Sequence, residues 1–93
     1  MTRLTLQEIV RLMKLDPKLN VRVVGHTDSA GDLAHNTALS EGRAKAVVAA
    51  LTSQYGVAAA RLSAHGCGPL APVAGNDTED GKAKNRRVEL VKR

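Results

Sequence analysis

Three short strand-like runs, each reached through a helix-length segment, limit most sharply what this chain can become. Val21 to Val24 is the first, with Val21 and Val23 on one face. Arg61 to His65 is the second, with Leu62 and Ala64 facing a core, and the alternating Val88 to Val91 is the third. Ahead of the first, Leu6, Ile9, Val10 and Met13 recur at three- and four-residue spacing, which predicts a helix over 4–15. Thr5 with Glu8 suits a capping box at its start, and Asp16-Pro17 ends it. The longest helix is expected over about 34–54, with Leu39, Ala46, Val47, Ala50 and Leu51 as its apolar stripe and Gly56 as its stop. Val57 to Ala60 makes a short connection. The breakers from Gly66 and Gly68 through Pro69 and Pro72 to Gly75 predict a long loop. Thr78 then caps a short helix running to about Arg86, with Glu79 and Asp80 in its first turn. The order α-β-α-β-α-β implies an α/β (α+β) sandwich, a small mixed sheet of about three strands with helices packed on it.

A chain of 93 residues suits one small domain, and no linker divides it. Tyr55 is its one aromatic residue, so Leu, Val, Ile and Ala must build the core. The formal charge of +5 favours anionic partners without choosing among them. Lys82, Lys84, Arg86 and Arg87 form a basic cluster that reads as a solvated face. With no Phe or Trp there is no platform on which bases stack, and no nucleic-acid partner is expected. Cys67 is the one cysteine, which excludes an intrachain disulfide. His26, His35, His65 and Cys67 lack metal-ligand spacing, so no metal or cofactor is expected. No apolar run reaches membrane-spanning length, and the N-terminus does not read as a signal peptide.

The chemistry concentrates in Gly25-His26-Thr27-Asp28 and, fifteen positions after Asp28, in Arg43 of Leu39-Ser40-Glu41-Gly42-Arg43-Ala44. Asp28 lies just beyond a strand's carboxyl end, where α/β sheets commonly bind ligands; a loop carboxylate capping a turn fits the same position. Arg43 projects about 40° from Leu39 and lies inside the predicted apolar arc, where a charged side chain must snorkel, pair or line a pocket. The pair therefore reads either as a structural ion pair or as a grip for a zwitterion, ammonium on Asp28 and carboxylate on Arg43. His26 reads as hydrogen-bonded scaffolding, and with no nucleophile elbow and no nucleophile–base pair the domain is expected to be non-catalytic.

These segments occur in an order that resembles the OmpA-like domain, the C-terminal domain of the OmpA/Pal/MotB group. Val23 to Asp28, Asn36, Leu39 to Ala44, Val57 to Gly66, Pro72-Val73, Asn76 to Gly81 and Lys84 to Leu90 carry the resemblance, which runs from about residue 6 to the end. It implies non-covalent binding of the peptidoglycan stem peptide through meso-diaminopimelate, whose free end bears an amine and a carboxylate. By that analogy Asp28 engages the ammonium and Arg43 the carboxylate. Asn36 and Leu39 line the pocket, and Arg86 contributes near the carboxylate. His26 and Thr27 shape the turn. The family opens with a strand where this chain opens with a helix, so the resemblance implies a single domain over 1–93, truncated at its N-terminus, with a sheet edge open to a homodimer. It further implies part of a longer, membrane-associated protein at the periplasmic face of the outer membrane or cell envelope. Cys67, Pro69 and Gly42, a glycine inside a helix, also depart from the family's pattern. Two alternatives stand beside it: a truncated, non-binding relative serving as a dimerisation or assembly unit, and a basic domain meeting nucleic acid through charge.

Overall fold

The computed structural model describes residues 5–93. The predicted helical position of Leu4 lies outside them. The elements are α1 (Leu6–Leu15), β1 (Val21–His26), α2 (Leu33–Ser53), a short 3-10 turn (Ala59–Arg61), β2 (Leu62–Gly68), α3 (Glu79–Asn85) and β3 (Arg87–Lys92). β1 is the middle strand of three, parallel to β2 and antiparallel to β3. The fold is α+β with a three-stranded mixed sheet, as the alternation of elements implies.

The helix starts follow from side-chain capping. Thr5 accepts from the Glu8 amide and Glu8 reaches back to the Thr5 amide, the capping box read from the sequence. Asp32 caps α2 through the His35 amide, and Thr78 caps α3 through the Gly81 amide. Gly56 follows α2 at φ 71°, a left-handed conformation that favours glycine.

Val21, Val23 and Leu62 share one sheet face, and Ile9, Val10 and Met13 of α1 meet Ala44 and Leu51 of α2 over it. Met13, Val23 and Leu51 are fully buried. The other face carries the exposed Arg22, His65 and Val91. Arg61 ties α1 to the sheet, its guanidinium donating to the carbonyls of Met13, Asp16 and Leu19 at 2.7–2.8 Å.

Two sequence expectations are corrected here. Gly66 and Gly68 are not loop residues: they close β2, because α2 crosses so near that an added Cβ on Gly66 would lie 2.6 Å from Thr37 O and from Glu41 N. At Gly25 of β1 a Cβ would run into the carbonyl of Ser40. The glycines that read as breakers are the floor on which α2 rests. That contact also rotates α2 away from its predicted stripe. The residues it buries are Asn36, Ser40, Ala44 and Leu51, whereas Leu39 and Ala46 are exposed. Small and partly polar residues face the sheet because large apolar ones would hold the helix off the glycines.

Candidate functional site

The carboxyl ends of β1 and β2 are shaped by a bulge. Pairing shifts between Gly25 and His26, so Gly25 faces Gly66 while His26 faces Gly68, and Cys67 is the extra residue. Ser40, wholly buried, fastens the bulge to α2: its hydroxyl accepts from the Gly68 amide at 2.9 Å and donates to Thr37 O at 2.8 Å. Thr27 N donates to Gly68 O, which completes the strand end just before Asp28.

Asp28 heads a tight loop. Its Oδ1 accepts from the Ala30 amide at 3.0 Å, an Asx-type turn, and Thr27 Oγ1 donates to Asp28 O at 2.8 Å. Asn36 reaches up from α2 and donates through Nδ2 to Ala30 O at 2.8 Å. From the far side, Ser29 N donates to Asn76 Oδ1 at 3.3 Å. The other Asp28 oxygen accepts from Arg86 Nη1 at 2.7 Å. That charge-assisted bond, with the Ala30 amide, holds the Asp28 carboxyl below the usual carboxylate range.

Asn85-Arg86-Arg87 is therefore not a solvated basic face. Asn85 is fully buried and spends its whole amide on the preceding loop, accepting from Val73 N and Ala74 N and donating to Ala74 O and Asn76 Oδ1. Arg87 is also buried. It donates through Nε to Glu89 at 2.6 Å and through Nη2 to Ala71 O at 2.9 Å. Only Arg86, 41% exposed, projects toward the Asp28 loop. The three consecutive residues thus divide their work: Asn85 holds the 71–76 loop, Arg86 the carboxylate, and Arg87 both Glu89 of the edge strand and the start of that loop. Gly81 of α3 lies so close to Gly75 O that it has no room for a Cβ, which presses that short helix onto the same loop.

His26 does not fit its expected role. Its ring is 4% exposed, yet neither nitrogen has a hydrogen-bond partner among the described residues. Glu89 Oε2 stands 3.7 Å from Nε2. Burial pushes the imidazole below its ordinary value; Arg87 adds to this, and Glu89 opposes it.

Arg43 differs most from its sequence reading. It is exposed, outside the buried face of α2, and makes no hydrogen bond or ion pair among the described residues. The rotation of α2 onto the glycines explains this. The expected alternative of a structural Asp28–Arg43 pair is absent, since Asp28 pairs with Arg86, 58 positions away in sequence. Seven residues along a helix return to within about 20° of the starting direction, so Arg43 lies on the flank of α2 that carries Asn36. That is the flank from which Asn36 contacts the Asp28 loop. Leu39, 39% exposed, lies between them on the same side. Asn36 braces the loop rather than lining open space, because its Nδ2 is committed to Ala30 O.

The supporting residues Ser40, Asn76 and Asn85 were not recognised as such in the sequence. Their only signal is that of polar side chains beside glycine- and proline-rich turns, which is common to many surface loops. Together the elements place an acidic loop and a neighbouring guanidinium at the carboxyl end of β1, while Arg43 stands exposed midway along α2.

Comparison with known proteins agrees with this architecture. The peptidoglycan-associated lipoprotein of Burkholderia pseudomallei superposes with a TM-score of 0.87 at 38% identity, covering 95% of this chain and 74% of that one. The C-terminal domain of Helicobacter pylori MotB gives a TM-score of 0.84 at 31% identity, covering 95% of this chain and 68% of that one. In sequence, the probable lipoprotein YiaD of Escherichia coli K12 is 46% identical over 94% of this chain, and the outer-membrane lipoprotein YfiB of Pseudomonas aeruginosa is 41% identical over 97%. The chain spans 39% of YiaD and 53% of YfiB, so it matches one portion of longer proteins. A family model described as the OmpA family matches residues 2–86, and the chain belongs to that family.

Proposed function

We propose that this domain is a non-catalytic peptidoglycan-binding module that anchors a longer envelope protein to the cell wall. In this reading it grips the zwitterionic free end of diaminopimelate in a stem peptide. The observation that carries it is the unequal commitment of two charges: Asp28 is fixed in a braced loop beyond β1, whereas Arg43 on α2 is exposed and unpaired among the described residues. An exposed guanidinium with no internal partner is ready to take a ligand carboxylate in two parallel hydrogen bonds. Asp28 supplies the complementary charge for an ammonium, Leu39 an apolar wall, and Asn36 the brace that fixes the loop. The relatives support the anchoring role, one being a peptidoglycan-associated lipoprotein and another the cell wall anchor of the Pseudomonas aeruginosa type VI secretion system. Like those relatives, the parent protein is taken to be membrane-associated, with this domain in the periplasm.

One charge-assisted contact contributes about 1.5–3 kcal/mol, so Arg43→Ala is expected to weaken binding of a diaminopimelate-containing stem peptide by about 10- to 100-fold. Because Arg43 is exposed and makes no hydrogen bond or ion pair among the described residues, the melting temperature should stay that of the wild type. The check is calorimetric titration of the tripeptide stem together with pull-down on purified sacculi. Wild-type affinity in Arg43→Ala would remove the proposed grip.

A further inference from the structure

If the site grips a zwitterion as proposed above, the pairing of Arg86 with Asp28 bears on which ligands it accepts. Without ligand, Asp28 is already neutralised. One oxygen accepts from Arg86 at 2.7 Å and the other from the Ala30 amide. Lys82 adds a second positive charge acting on the same carboxylate. Lys82 is itself paired with Glu79 at 3.5 Å, so beside Asp28 the uncompensated partner is the Arg86 guanidinium. An isolated amine approaching Asp28 must compete with a guanidinium already bonded there. Arg86, 41% exposed, is free to swing away, because its only side-chain partner among the described residues is Asp28. Asn85 and Arg87 on either side are buried and fixed, so the Arg86 backbone stays where it is while its side chain moves.

We infer that Arg86 is a specificity-determining residue that acts as an internal competitor of the ligand's ammonium. It occupies Asp28 in the empty site and yields only to a ligand that brings a carboxylate with its amine. The arriving carboxylate gives the released guanidinium a new partner. The ammonium then takes the Asp28 oxygen that Arg86 has left. An amine without that carboxylate breaks the Asp28–Arg86 bond and leaves Arg86 unpaired, so it binds poorly although Asp28 is present. The site thus rejects half-ligands through a charge it carries itself.

The experiment compares two stem tripeptides, one with the diaminopimelate free-end carboxyl intact and one with that carboxyl amidated, on wild type, Arg86→Gln and Arg86→Lys. Circular dichroism and melting confirm the fold of each variant. Wild type is expected to bind the acid and to bind the amide at least about tenfold more weakly, the loss of one charge-assisted contact. Arg86→Gln is expected to bind the amidated peptide more tightly than wild type does, while Arg86→Lys keeps the discrimination. A residue that only contacts the ligand or supports the fold does not produce a gain of binding when removed. If Arg86→Gln weakens both peptides, or leaves the amide where wild type has it, the internal-competitor role is wrong while the peptidoglycan reading stands. If wild type binds neither peptide, the peptidoglycan reading itself fails.

Discussion

The helix-covered face of the sheet and the loop end beyond β1 are built from opposite materials. Around Met13, Val23 and Leu51 the chain is held by apolar burial and by two glycines that let α2 lie directly on the strands. Around Asp28 there is almost no apolar burial. Side-chain amides, a hydroxyl and a guanidinium fix backbone that belongs to no regular element. Leu33, Leu70 and Val73, in or beside these loops, are exposed. The first region tolerates changes of polarity on its far side and almost no change of volume. The second depends on each hydrogen bond, since a buried donor or acceptor left alone costs more than the bond contributed, and on volume where Gly81 meets Gly75.

The largest effect is expected where volume decides. Gly25→Ala puts a methyl group into the Ser40 carbonyl, so β1 and α2 must separate. Overpacking of this kind costs about 3 kcal/mol. Chemical denaturation is the measurement, and a loss under about 1 kcal/mol, the usual scale of a neutral surface change, shows that α2 is not seated on the strands.

That contact also marks how far the sequence could be read. α1 was legible from its Thr5 cap to Leu15, because its apolar spacing and its Thr5–Glu8 box are local signals. The three strands were legible in place but not in length, since Gly66 and Gly68 have the composition of a turn and the structural role of a close approach. The buried face of α2 was misread because Asn36 and Ser40 point inward, and a stripe drawn through apolar residues alone passes beside them. Asp28 and Arg43 stood out in the sequence, but the true partner of Asp28 did not. Its bond to Arg86 spans 58 positions and depends on where α3 and the 71–76 loop settle, which no local spacing encodes.

Where hydrogen bonds decide, the expected loss is smaller and differently distributed. Asn85→Ala leaves the amides of Val73 and Ala74 and the carbonyl of Ala74 without their partner. Stability should fall by about 2 kcal/mol. Amide exchange should accelerate far more at Val73 and Ala74 than at Val23 in the core strand. Equal acceleration at both places means that loop and core open as one unit and that the contrast between the two regions does not hold.

The loop end is also where stability should respond to mild acid. In the folded chain burial keeps His26 below its ordinary value of 6.5, which the unfolded chain recovers. Below pH 6.5 the unfolded state therefore binds more protons than the folded one. Stability is complete above that pH and declines as pH falls toward the folded-state value. His26→Gln should flatten this slope, as read from denaturation midpoints across mildly acidic buffers. An unchanged slope assigns the acid sensitivity to another group.

The last change has the opposite sign and tests whether the two regions can be adjusted separately. Gly42 lies in the interior of α2, exposed, and an added Cβ meets nothing within 4 Å. Nothing in its surroundings requires glycine, unlike Gly25 and Gly66 on neighbouring strands. Gly42→Ala should therefore raise stability by about 1 kcal/mol, partly by restricting the unfolded chain. The residue immediately precedes Arg43, so the same variant asks whether the guanidinium works from a rigid helix or needs a soft one. A more stable domain with unchanged stem-peptide affinity shows that the site draws its precision from the loops around Asp28 and asks only for a fixed platform from α2. Higher melting with weaker binding shows instead that α2 must yield at Gly42 for Arg43 to reach its ligand, and that glycine then belongs to the site rather than to the scaffold.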